Sequence, residues 1–320
     1  MGIRYVVRRL LGIIPTLASI LVLTFLLVHA SGVDPALEMA GDGATPERVA
    51  EIRRQMGYDR PLGEQFVTYV TDLAQGDLGM VDSLGAPVSE VIASRIGPTL
   101  LLTGTAMVIS TVLGLCLGML AARRPLGPVD LTISTGSLVG YAVPGFWLGQ
   151  IVVIIFALRL GWFPLQGYVS SRTPPTGFDR WAQIGYHLVL PALVLATSEI
   201  ALLTRITRSG LVQQLGQEYV LTARAKGLPE DLVVRHHALR NALLPVVTVL
   251  GTRIGFLLSG ALVIETVFNW PGLGSALRSA GSGDSDLVVG IVLLIATGVM
   301  LINVLIDLLY LWVDPRARTG

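Results

Sequence analysis

Lysine is almost missing from this chain: one occurs in 320 residues, Lys226, against 22 arginines. A Walker A loop requires Gly-Lys-Ser/Thr, and Lys226 follows Ala225, so ATP binding of that kind is excluded. Cysteine also occurs once, as Cys116 inside an apolar run. An intramolecular disulfide is therefore impossible, and the residue reads as a small buried hydrophobe. Histidine is sparse, and His236 and His237 are adjacent, so a helix cannot aim both the same way. With His29 and His187 far off in sequence, no metal site is expected. Neither His-Glu-x-x-His nor Gly-x-Ser-x-Gly occurs, so the common zinc-protease and serine-hydrolase arrangements are absent. Charged residues make up only 14% and the net charge is +1, which gives no basis for a nucleic-acid partner.

Apolar length fills the gap. Hydrophobic residues make up 52% of the chain and the mean hydropathy is +0.68, beyond the range of a soluble domain. Six runs are long enough to cross a bilayer, at about 9–30, 99–121, 131–158, 187–206, 242–267 and 288–312. The first follows Arg4, Arg8 and Arg9 and is longer than a signal-peptide core, so it reads as a retained span. Gly114 and Gly118, four apart in the second, allow close helix approach. Pro144-Gly145 predicts a kink in the third. The segments assigned inside carry 13 of the basic residues and those outside 9, although the outside loops are longer. Both termini are therefore expected in the cytoplasm. The expected fold is all-α and polytopic, with domains at 1–32 (N-terminus and first span), 33–96 (an extracytoplasmic helical insert), 97–313 (a core with a cytoplasmic loop at 207–241) and 314–320 (a tail).

The insert carries eleven acids and five arginines. Thr45-Pro46-Glu47 predicts a helix start, with Val49, Ile52 and Met56 on its packed face and Gly57 as its stop. Pro61 opens a second helix, with Phe66, Val70 and Leu73 on one side and Gly76 at its end. Pro87 opens a third, leading to Gly97-Pro98. Between spans four and five lies a polar, basic stretch. Tyr219 to Lys226 reads as a short helix stopped by Gly227, and Pro229-Glu230-Asp231 as the first turn of a second one. A folded basic loop at the membrane face fits an element gripped by another protein.

That loop resembles the cytoplasmic "EAA" loop of ABC-importer permeases, in the dipeptide/oligopeptide/nickel branch. The residues that carry the likeness are Tyr219, Thr222-Ala223-Arg224-Ala225-Lys226-Gly227 and Arg240-Asn241-Ala242-Leu243-Leu244-Pro245. Of the Glu-Ala-Ala triplet only Ala223 matches, and the Leu-Pro pair falls late; both departures look like the peptide branch. Gly76-Asp77-Leu78-Gly79, Pro98-Thr99-Leu100, Glu265-Thr266-Val267-Phe268 with Trp270-Pro271-Gly272-Leu273-Gly274, and Asp314-Pro315-Arg316 extend the likeness from end to end. The resemblance implies a type I importer permease fold and half of a translocation pathway for di- or oligopeptides. It also implies these partners: a second homologous permease, one or two ABC ATPase subunits that bind the ATP and Mg, and an extracytoplasmic binding protein. No cofactor is expected on this chain. The ATPase-coupling residues would be Tyr219, Thr222, Ala223, Arg224, Ala225, Lys226, Gly227 and Leu228. The same architecture importing nickel chelates, glutathione or another small solute is the alternative.

Two charges fall inside apolar runs, Glu199 in the fourth and Arg253 in the fifth, at depths that could coincide. Charge in hydrocarbon is expensive, so both should face protein or a water-filled path. They read either as lining the path or as a structural ion pair. Ser259 and Asn303 are further candidates for the path, and Asn303 shares a helix face with Asp307. A secondary transporter would show several mid-membrane acids or histidines and no folded loop helix. An intramembrane hydrolase would need a nucleophile and base at depth. Neither pattern is present.

Overall fold

The computed structural model describes residues 2–30, 35–41, 43–81, 83–170, 176–280 and 284–313. It is helical almost throughout and divides into two compact units, one made of residues 1–97 with 275–320 and the other of residues 98–274. Among the described residues, five helices are long and apolar enough to cross a bilayer, and a bent pair makes a sixth if it counts as one span.

In the first unit α1 (Gly2–Ala30) packs along α13 (Ser285–Val313). The insert begins with α2 (Pro35–Ala40), which packs on α3 (Pro46–Gln55). Thr45 caps α3, its hydroxyl accepting from Arg48 N, with Pro46 in the first turn. Gly57 then takes φ +73°, the left-handed value that stops a helix. Ile52 is buried and Val49 half-buried, but Met56 is exposed, because the chain has already turned away there. Next comes α4 (Leu62–Ala74), whose Phe66 and Tyr69 meet Phe25 of α1 with ring centroids 5.2 and 6.0 Å apart. The insert is thus anchored by aromatic packing on the first span. Among the described residues the Tyr69 hydroxyl has no hydrogen-bond partner, and burial followed by the charge of Asp286 pushes its pKa up to about 12.

A two-residue hairpin, β1 (Met80–Val81) with β2 (Ala86–Pro87), was not foreseen. It explains the Gly-Asp-Leu-Gly stretch. Asp77 Oδ1 accepts from Gly79 N at 2.9 Å, and Gly79 lies against the carboxylate of Asp286 at φ +84°, where a side chain would collide. Ser83 donates to Asp284 from both its backbone N (3.2 Å) and its hydroxyl (2.6 Å), tying the hairpin to the start of α13.

The expected third insert helix is not separate. α5 (Val88–Ala122) runs 35 residues straight through Gly97-Pro98. Pro98 lacks the N–H that would bond the Ser94 carbonyl, yet the helix continues past it; the Pro98 carbonyl itself accepts the indole N–H of Trp270 at 2.9 Å. Cys116 on this helix is exposed rather than buried; the apolar run around it faces outward there.

The second unit is built around α8 (Gly177–Leu215), which is 39 residues long and extends past the expected span at both ends. Its middle is buried on nearly every side, as befits a helix apolar all round. α6 (Pro128–Ala142) and α11 (Leu239–Phe268) pack along it. On α5, Gly114 and Gly118 press against it: a Cβ on Gly114 would lie 2.6 Å from Leu203 Cβ, and one on Gly118 2.8 Å from Thr204 O. At Pro144 the chain turns by 102° into α7 (Gly145–Val152), which continues as a π-turn to Arg159. That bend is far sharper than a kink within one span.

Candidate coupling site

The polar stretch between α8 and α11 forms one short helix, α9 (Glu218–Ala225). The expected second helix is instead the start of the next span. α10 (Glu230–Leu232), with Pro229 at its cap, runs through a π-turn at Val233–Ala238 directly into α11. Acids suit the N-terminus of a long helix as well as a short one, so the sequence signal was real and its length was misjudged. The connection outside regular helix is short, and residues expected in the loop from 207 on belong to α8.

α9 has two faces. Val220 and Ala223 are buried against Ala122, Leu211, Val233, Ala238 and Ala242, with Leu228 packed at the edge. Ala223, one of the expected coupling residues, therefore faces its own chain: at i and i+3 it shares the inward face with Val220. Leu221, Thr222, Ala225 and Lys226 are exposed. Tyr219 is pinned at the edge: its hydroxyl donates to Gln214 Oε1 at 2.8 Å and accepts from Asn241 Nδ2 at 3.2 Å. This contact accounts for the Arg-Asn-Ala segment of the sequence pattern. Gly227 takes φ +78° with open space where a Cβ would be, and its N–H bonds to Arg224 O at 2.9 Å. It is the left-handed stop that the sequence predicted.

Arg224 is among the expected coupling residues. It is occupied within the chain, donating to both carboxylate oxygens of Glu230 at 2.6 and 3.1 Å, and this bond holds its guanidinium above the ordinary value. The pair is exposed, so it ties α9 to the start of α10 with little net stabilisation. Lys226 has no ion-pair partner among the described residues. A cavity of about 500 Å³ is lined by Arg123, Pro125, Leu211 and Leu215 together with Arg224 and Glu230.

Deeper in the same unit, Glu199 of α8 and Arg253 of α11 meet. Arg253 Nε donates to both carboxylate oxygens (2.9 and 3.1 Å) and its Nη2 to one of them (2.8 Å). The Arg253 guanidinium also lies 4.2 Å from the Phe256 ring centroid. Ser259, one helix turn beyond Phe256, is exposed and bonds back to Gly255 O. Asn303 is half-buried in the other unit; the Asp307 side chain and Asp314-Pro315-Arg316 lie outside the described residues.

Two acids of consequence were missed. Asp130, at the start of α6, is 1% exposed and paired with Arg208 of α8. It lies just outside the expected third span, where a charge looks ordinary. Glu265 is fully buried at the far end of α11. It accepts from the Thr99 hydroxyl and from Gly274 N, each at 2.6 Å, while Thr99 Oγ1 accepts from Leu273 N at 2.9 Å. Asn269 caps α11 in the left-handed region at φ +48° and turns the chain back onto this carboxylate. The Glu265-to-Gly274 stretch and Pro98-Thr99 are therefore one hydrogen-bonded knot. Among the described residues, no group of three or more His, Cys, Asp or Glu could hold a metal.

Residues 114–319 match the family described as "Binding-protein-dependent transport system inner membrane component", and residues 2–92 match its N-terminal companion. The chain belongs to this family of importer permeases. The permease is 40% identical to the dipeptide transport system permease protein DppB of Escherichia coli K12, over 99% of both chains. It is 42% identical to the glutathione transport system permease protein GsiC of Salmonella typhimurium LT2, again over 99% of both. In fold it is similar to the MetNI methionine ABC transporter in an inward-facing conformation, with TM-score 0.57 and 18% identity over 71% of the permease and 97% of that chain. It is a membrane-spanning subunit of an ABC importer, of the type I fold.

Proposed function

We propose that this permease carries short peptides, with dipeptides and glutathione as the two substrates to test first, and that α9 is where ATPase motion enters it. The observation that carries the coupling role is the two-faced setting of α9: one side is fixed to the chain's own core, while Leu221, Thr222 and Ala225 are left outward beside the Gly227 stop. A short helix without slack suits the transmission of a rigid-body movement. Partner ATPases would bind the ATP and Mg, and the permease itself would carry out no chemistry. A second homologous permease would complete the path, and the acidic insert would receive the binding protein. Glu199 and Arg253, with Ser259 and Asn303, are the candidates for lining that path. Both termini would lie in the cytoplasm, as the arginine distribution indicates.

The test uses the assembled importer in proteoliposomes. Gly227→Asp and Thr222→Glu should leave the permease folded and inserted. Uptake of a labelled dipeptide should fall to background, either with loss of ATPase subunits or with ATP hydrolysis no longer linked to uptake. Full uptake at normal ATPase content in both variants would remove α9 from the mechanism.

A further inference from the structure

We propose that Asp130 and Arg208 form a positioning clamp that makes the inner ends of α6 and α8 move as one block, so that a displacement of α9 reaches the bent α6–α7 segment as well as α8. The proposal rests on α9 being the coupling element.

The Asp130 carboxylate collects four donors. Arg208 approaches with Nε and, at 2.6 Å, with Nη2; Leu126 N donates at 2.7 Å and Ser134 Oγ at 3.1 Å. A forked guanidinium on a carboxylate fixes orientation as well as distance, which a single contact does not. The bond from Leu126 shows what is being held. Leu126 sits at φ +63°, a region that bulky residues avoid, and such strain persists only where the surroundings over-determine it. The turn that joins α5 to α6 is therefore set by Asp130, and Asp130 by α8.

That turn stands beside the root of α9. Its first residues, Arg123 and Pro125, line the same cavity as Arg224 and Glu230. Ala122, immediately before it, is buried in the same cluster as Val220 and Ala223 of α9. Arg208 lies seven residues before the end of α8, about 10 Å along the helix. Contact thus runs from the inward face of α9 through Ala122 to the turn, and from the turn through Asp130 to both α6 and α8. Farther along α8, Glu199–Arg253 makes the corresponding tie to α11. The central helix is clamped to one neighbour by each pair.

Single changes would strand a buried charge and damage assembly, so the informative variant neutralises both ends. In Asp130→Asn with Arg208→Gln, the importer should assemble with its ATPases and hydrolyse ATP within about two-fold of the native rate. Uptake of a labelled dipeptide per ATP should drop at least five-fold, inside the roughly 2- to 30-fold range by which changes along a coupled network alter coupling. Arg208→Lys, which keeps the charge and loses the fork, should fall between the two. A second readout needs no transport. Spin labels at Thr132 and Gln213, both exposed, are placed in a Cys116→Ser chain. Their separation should be the same before and after ATP-vanadate trapping in the native pair, and should change on trapping in the double variant. A purely structural role would lower yield, hydrolysis and uptake together and leave uptake per ATP unchanged. Native uptake per ATP with an unmoved label distance in the double variant overturns the clamp. Failure of the coupling reading itself would appear separately, as full uptake in Gly227→Asp.

Discussion

Glu199 and Arg253 illustrate what a single residue can announce from sequence. Each interrupts an apolar run, and a lone charge in such a run needs a partner or water. The structure brings them together through three hydrogen bonds. Removing one member of a buried pair typically costs about 3–5 kcal/mol, whereas removing both is far milder. Glu199→Gln and Arg253→Met should each lower the yield and melting temperature of the purified complex, and the combined variant should recover most of the loss. Additive losses in a double-mutant cycle would show that the contact contributes nothing. Asp130 gave no such announcement, because charges are common where a helix leaves the membrane. Its burial follows from a turn and a neighbouring helix that the linear pattern does not specify. Glu265 was visible only as one letter of a familiar stretch; its role depends on Thr99, 166 residues away.

At the level of the helix, starts and stops were legible and lengths were not. Thr45-Pro46, Gly57, Gly76 and Gly227 all act where local chemistry placed them. Pro98 did not end a helix, and Pro229 opened a long one, because tertiary partners decide whether a helix continues past such a residue. The two faces of α9 carry a sharp expectation. Ala223 is 6% exposed, whereas Ala225, two residues on, is exposed. Ala223→Glu should therefore destabilise the permease itself, seen as lower yield and earlier thermal unfolding, since a carboxylate would be buried without a partner. Ala225→Glu should leave stability within about 0.5 kcal/mol, as surface changes usually do, and lower only the attachment or stimulation of the ATPases. Equal thermal stability in the two variants would contradict the burial of Val220 and Ala223.

For the whole molecule, the count of apolar runs gave the class and the arginine asymmetry gave an orientation. With Cys116 replaced by Ser, single cysteines at Thr45 and Gln213 should react with a membrane-impermeant maleimide from opposite sides of sealed vesicles. Labelling of both from one side would require a different number of crossings. The bend at Pro144 bears directly on that number, since α6 and α7 meet at 102°.

The length of α8 has a mechanical consequence. At 1.5 Å per residue its 39 residues span about 58 Å, nearly twice the hydrocarbon thickness of about 30 Å. A rod of that length is a lever. Tilted by about 10° about its midpoint, it would sweep each end through about 5 Å, close to the pitch of one helical turn. α9 hangs from one end of this lever by two residues, Gly216 and Gln217. A small angular change near the bilayer centre and a displacement of several ångströms at α9 are then the same motion, read at different distances from the pivot.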